Sequence, residues 1–78
     1  MAEPEQSSLV SYEEFKALPL EEQAALLWAE GHLLARRWEV RQAVGLYQLS
    51  GFFCELFYDT QTHALLRARA FTRLKNRP

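Results

Sequence analysis

The residues that could do chemistry are few: Cys54, His32, His63, and a stretch where Glu55 and Asp59 alternate with Phe53 and Phe57 ahead of Arg67 and Arg69. Cys54 with either histidine is the only thiol–imidazole combination. Nucleophilic catalysis would need the base within hydrogen-bond reach of the sulfur. Alternation along a strand instead turns Cys54 into the core beside Tyr47 and Ala68, where a free cysteine acts as a small hydrophobe. His63 lies nine residues further along, in a turn. A metal site needs three or four converging ligands, and His32, Cys54, Asp59 and His63 show none of the short ligand spacings. Glu55 between two phenylalanines has the setting of a carboxyl with a raised pKa. A general acid also needs a second polar group and a pocket, and an arginine opposite would keep Glu55 ionised, which favours an ion pair. Gly31, Gly45 and Gly51 stand apart from one another and form no phosphate-cradling loop. The residues therefore predict no catalytic, metal or cofactor site, and a protein that is not an enzyme.

Arg67, Arg69, Arg73, Lys75 and Arg77, interleaved with Phe53 and Phe57, could form a platform for single-stranded nucleic acid. The pI of about 6.1 argues against it, because such domains carry a clear basic excess. The charge is unevenly spread all the same: residues 1–30 hold seven acids and one base, residues 31–78 three acids and eight bases. An acidic helical layer docked on a basic sheet accounts for this as well as a binding surface would. A single cysteine excludes a disulfide scaffold. The acidic start Met1-Ala2-Glu3-Pro4 has no apolar stretch behind it, and no apolar run approaches the roughly 18 residues that span a bilayer. Both features predict a cytoplasmic chain with no membrane partner.

Seventy-eight residues make one domain. Residues 1–10 read as a flexible arm, 11–72 as a single α+β domain and 73–78 as a basic tail. Ser11-Tyr12-Glu13-Glu14 fits a capping box that starts a short helix, Tyr12 to about Leu18. Pro19 ends it, because the residue before proline is pushed out of the α region, and can open the next helix. That second helix has Glu21 and Glu22 in its first turn, apolar positions at Leu20, Ala24, Leu27 and Trp28, and Gly31 as its C-terminal cap. Residues 32–38 fit either a helical continuation or a strand. Beyond them the period changes to two: Ala43 to Leu49, a Ser50-Gly51 turn, Phe52 to Tyr58, a loop over 59–63, and Ala64 to Phe71. The fold class is α+β, with a helix or helix pair on one face of a three- or four-stranded antiparallel meander.

Pairing Leu49 with Phe52 across the turn sets Tyr47 opposite Cys54 and Gly45 opposite Leu56. Pairing Tyr58 with Ala64 across the loop sets Leu56 opposite Leu66, Cys54 opposite Ala68 and Phe52 opposite Ala70. This apolar side is the core face under the Trp28 helix, and its alanines and Gly45 leave clearance for that helix. The reverse side carries Val44, Leu46, Phe53, Phe57, Leu65, Arg67 and Arg69, with Glu55 opposite Arg67 and Phe53 opposite Arg69. Nothing else in the chain is available to cover it. The five apolar residues there predict an interaction face for a second copy, a homodimer, or another protein partner.

Glu22-Gln23 leading to Leu27-Trp28 and Gly31, then Leu46-Tyr47-Gln48-Leu49, Phe52 to Tyr58, and Arg67-Ala68-Arg69-Ala70-Phe71 resemble a group of short uncharacterised proteins from Bacteroidota. The likeness spans roughly residues 12 to 75. It implies a strand over 32–38 and carries no activity to any residue.

Overall fold

The computed structural model describes residues 10–73, so most of the arm assigned to 1–10 and most of the tail assigned to 73–78 lie outside the described residues. Two helices, α1 (Tyr12–Lys16) and α2 (Leu20–Glu30), precede four strands: β1 (His32–Trp38), β2 (Gln42–Leu49), β3 (Phe52–Asp59) and β4 (Leu65–Phe71). The strands form one antiparallel sheet in the order β1-β2-β3-β4, with both helices on one face, an α+β fold. Residues 32–38 are strand, and so the sheet has four members.

Local chemistry sets the helix boundaries. Ser11 Oγ accepts from the Glu14 amide at 3.0 Å while Glu14 Oε1 accepts from the Ser11 amide at 3.0 Å, the full capping box. α1 stops at Lys16, two residues short of Leu18, and Pro19 stands as the N-cap residue of α2 rather than inside its first turn. Gly31 ends α2 with an ordinary extended φ of −81°. Glycine is needed there for space: a Cβ would sit 2.8 Å from the Leu27 carbonyl oxygen and 3.4 Å from that of Gln48. The chain can therefore leave the helix and enter β1 against the end of β2 in a single step.

Phe15, Ala24 and Leu27 from the helices meet Leu49, Phe52, Cys54 and Leu56 from the sheet in the buried core. Phe15 lies 5.2 Å from Phe52, centroid to centroid, and Tyr12 meets the same ring edge-on at 5.7 Å. Trp28 departs from the expected buried row. It is half-exposed at the margin of α2, stacked on Tyr58 at 6.4 Å with its indole Nε1 donating to the Tyr58 hydroxyl at 3.0 Å. The polar handle of an indole favours a place where one end meets water.

The β2–β3 pairing follows the two-residue turn: Leu49 opposes Phe52, Tyr47 opposes Cys54 and Gly45 opposes Leu56. The β3–β4 pairing is two residues off the sequence expectation. Cys54 meets Ala70, Leu56 meets Ala68 and Glu55 meets Arg69. One residue comes from the loop, which closes on Asp59 and Ala64 (N···O 2.9 Å) with Asp59 Oδ1 accepting from the amides of Gln61 and Thr62. The second is an irregularity where Tyr58 pairs with Leu65 but Phe57 with Arg67, leaving Leu66 as the extra residue. A shift of two keeps Ala68 and Ala70 on the core face, but the bulge turns Leu65 to that face as well, where it packs against the core.

The helices cover the sheet unevenly. α2 lies over β4 and β2 and α1 over β4, while β1 is exposed at all seven residues. The clearance at Gly45 serves another purpose than the one expected: a Cβ there would meet the Tyr47 ring at 3.1 Å and Leu33 Cδ1 at 3.5 Å, so it is these side chains that lie down over the glycine.

Candidate interaction surface

The reverse sheet face, assigned from sequence as an open apolar patch, is closed by the chain's own arginines. Val44 is 2% exposed and Phe57 3%, while Leu46 and Phe53 are half-buried. Arg67, opposite Phe57 in the register, lays its guanidinium 3.8 Å above that ring. Arg69 sits opposite Glu55 and reaches it at 2.9 Å, with its guanidinium also 4.8 Å from the Phe71 ring. Phe53 stacks on Phe71, its register partner, at 5.7 Å. Arg37 arrives from β1 opposite Val44 and holds the second Glu55 oxygen at 2.9 Å, while its Nε bonds Glu39 at 2.8 Å. The pairings of Glu55 with Arg67 and of Phe53 with Arg69 are thus replaced by their two-residue-shifted equivalents. The expectation that a single chain leaves all five apolar residues bare does not hold, because Leu65 is on the other face and Val44 and Phe57 are covered. Arginine stems and flat guanidinium groups cover apolar surface well.

Glu55 shows which effect prevails. Burial alone would raise its pKa, but the hydrogen bonds and charges of Arg37 and Arg69 outweigh that and hold the carboxyl below its ordinary value. It is an ion-pair centre and not a proton donor poised near neutrality. Arg37, which the sequence reading did not use, is the missing cover. Its signal was present, since a strand over 32–38 sets it opposite Val44.

Cys54 is wholly buried, and burial pushes its thiol up to about 11. A thiol of that kind is little ionised at neutral pH. Iodoacetamide at pH 8 is expected to leave Cys54 unmodified in the native protein and to alkylate it readily in urea. Equal rates under both conditions would mean that the strand does not seal the sulfur. His63 and His32 are both exposed. Among the described residues no three His, Cys, Asp or Glu side chains are grouped so as to hold a metal ion, and no helix is long and apolar enough to cross a membrane.

What the fold leaves open is β1 and the strip of helix-side sheet next to it. Trp38 is 64% exposed, Trp28 is half-exposed, and Leu33, Leu34 and Val40 are exposed with them. Along this strip the register forms rows. Trp38 and Tyr58 flank Ala43, and Arg36 and Leu56 flank Gly45. The small Ala43 between larger neighbours leaves a cleft of about 360 Å³, with Trp38 and Arg36 on one side, Tyr58 on the other, Ala43 beneath, Gly45 at its margin under the Tyr47 ring, and His63 at the loop end. Tyr47 closes the opposite end, and burial, with the nearby Tyr58 hydroxyl, holds its phenol above the usual range. Sequence reasoning missed this strip because the periodicity of a strand does not say whether a helix lies over it. No family model, curated protein or solved structure matches the chain, so the functional reading rests on this geometry alone.

Proposed function

We propose that the chain is a non-enzymatic, cytoplasmic interaction module that self-associates through its sheet, with β1 and the bare strip beside it as the docking surface. The observation that carries this reading is the exposure of β1 along its whole length, with Trp28, Leu33 and Trp38 gathered on and beside it. Contiguous apolar surface of this kind favours a partner. Charge argues that the partner is a second copy. The outer face of α2 presents the exposed acids Glu21 and Glu22, and the β1 margin presents the exposed bases Arg36 and Arg41. A two-fold arrangement sets the acidic face of each copy against the basic margin of the other, a self-complementary contact. Docking by face is favoured over strand-to-strand pairing, because the irregularity between Leu33 and Ala35 and the consecutive Arg36 and Arg37 are features that blunt a sheet edge. The resemblance to the short Bacteroidota proteins belongs to this proposal and adds no activity.

The alternative, single-stranded nucleic acid on the Phe53, Phe57, Arg67 and Arg69 face, has less support. Base stacking needs open rings, and there Arg67 caps Phe57 and Glu55 offsets Arg69.

Sedimentation equilibrium tests the proposal. The wild type is expected at twice its 9.1 kDa chain mass at high micromolar concentration, with association weakening as salt rises. Leu33→Asp is expected to return it to monomer with an unchanged far-UV spectrum. A wild type that stays monomeric at that concentration overturns the reading.

A further inference from the structure

The cleft beside β1 has the make-up of a small-molecule site, and we propose that it takes a flat aromatic ring bearing an anionic group. The class includes nucleoside monophosphates and aromatic carboxylates. The register fixes its width. Trp38 and Tyr58 stand on either side of Ala43 on the same face, so two strand spacings, about 9.5 Å, separate their backbones. A ring in van der Waals contact with an aromatic wall on each side takes up about 7 Å. A methyl group is all that Ala43 raises between them. The Tyr58 wall is braced from behind, since Trp28 stacks on it and bonds its hydroxyl without lining the cleft.

Charge selects the substituent. Arg36 lines the cleft, and among the described residues no carboxylate pairs with it, whereas Arg37 next to it is committed to Glu39 and Glu55. A guanidinium with all its donors open beside an aromatic slot suits a planar or tetrahedral oxyanion. His63 adds a second donor at the loop end. Asp59 is the one acid on the wall, and its Oδ1 is taken up by the amides of Gln61 and Thr62. The inference does not rest on the dimer, because one chain supplies every wall. Arg36 and Trp38 also belong to the proposed docking surface, so a second copy would compete for them. Leu33 does not line the cleft, and titrating the Leu33→Asp chain beside the wild type lets the two ideas fail separately.

Isothermal titration calorimetry on the full chain provides the test, with adenosine monophosphate and indole-3-acetate as the ring-bearing anions and adenosine and inorganic phosphate as the separated halves. At least one ring-bearing anion is expected to bind about tenfold or more tightly than either half. Binding by only one of the two ring-bearing anions assigns the source. Ala43→Leu fills the floor and is expected to abolish binding. Arg36→Gln, at an exposed position, is expected to weaken the anion about tenfold without moving the melting temperature, and it keeps the test decisive should Ala43→Leu fail to fold. The proposal is overturned if neither ring-bearing anion gives heat at millimolar concentration, if adenosine monophosphate binds and adenosine binds as well, if affinity survives in a folded Ala43→Leu protein, or if Arg36→Gln binds as tightly as the wild type.

Discussion

Phe15→Ala is expected to lower the unfolding free energy by about 3–5 kcal/mol, the largest loss of any single truncation proposed for this chain. Phe15 is 0% exposed and is the only buried residue of α1. It packs on Phe52 in β3 and so links the first helix to the sheet. A helix of five residues has no stability of its own, since nucleation costs more than its few hydrogen bonds return. Its conformation is held by the Ser11–Glu14 box, by this ring and by Tyr12, which meets Phe52 edge-on. A domain of this length has a total margin of roughly 4–12 kcal/mol, so the variant is expected to sit near its unfolding midpoint at physiological temperature. Urea titration followed by far-UV dichroism reads the effect directly. A midpoint displaced by less than a quarter of the wild-type value would mean that α1 is dispensable to the core.

Glu55→Ala ranks second, at about 2–3 kcal/mol. Removing the carboxylate leaves Arg37 and Arg69 facing each other across a nearly buried site, with like charges and unfilled donors. The loss stays below that of a fully buried pair because both guanidinium groups are half-exposed and can turn to water. Glu55→Gln isolates the charge. The folded-state pKa of Glu55 lies below its ordinary value of 4.5. The stability it contributes is therefore fully present above that value and is lost as pH falls through the lower, folded one. Arg37 likewise lowers the Glu39 carboxyl, and the loop amides lower that of Asp59, so wild-type stability falls in acid for three reasons together. The difference between wild type and Glu55→Gln removes the other two. That difference is expected to be largest near neutrality and to shrink as pH falls below 4.5. A difference independent of pH would show that the Glu55 charge contributes nothing.

These two variants also mark where the sequence was informative. The Ser11 box, the body of α2 and the β2–β3 hairpin were legible because each is specified within a few residues: a cap, a 3.6-residue period, a two-residue turn. Leu49 to Tyr47 and Phe52 to Cys54 therefore landed on the right face and in the right register. The β3–β4 register was not legible. It depends on which residue closes the loop, and the Asp59 side chain bonding forward to Gln61 and Thr62 moved that point by one position. The extra Leu66 then moved it again and exchanged Leu65 between faces. The cover over Val44 and Phe57 was missed for a related reason. Arg67 and Arg69 were placed on the open face beside the apolar residues, when in this sheet Arg67 serves as a lid on Phe57 and Arg37 crosses from β1 to Glu55. The bare β1 strip could not be found from pattern at all, because the breadth of sheet that α2 shelters is set by tertiary packing.

The order of elements has a consequence for how the chain acquires its structure as it leaves the ribosome. Both helices are made first, yet a large part of what they rest on is β4, the last strand. The hairpin of β2 and β3 can zip as soon as it emerges, since its partners are neighbours. Phe15, Leu20 and Leu27 have no complete shelter until Ala68 and Ala70 have been added roughly forty to fifty-five residues later. Until β4 has emerged, α2 has mainly its contacts with β2 to rest on, so the core closes once β4 is made rather than strand by strand.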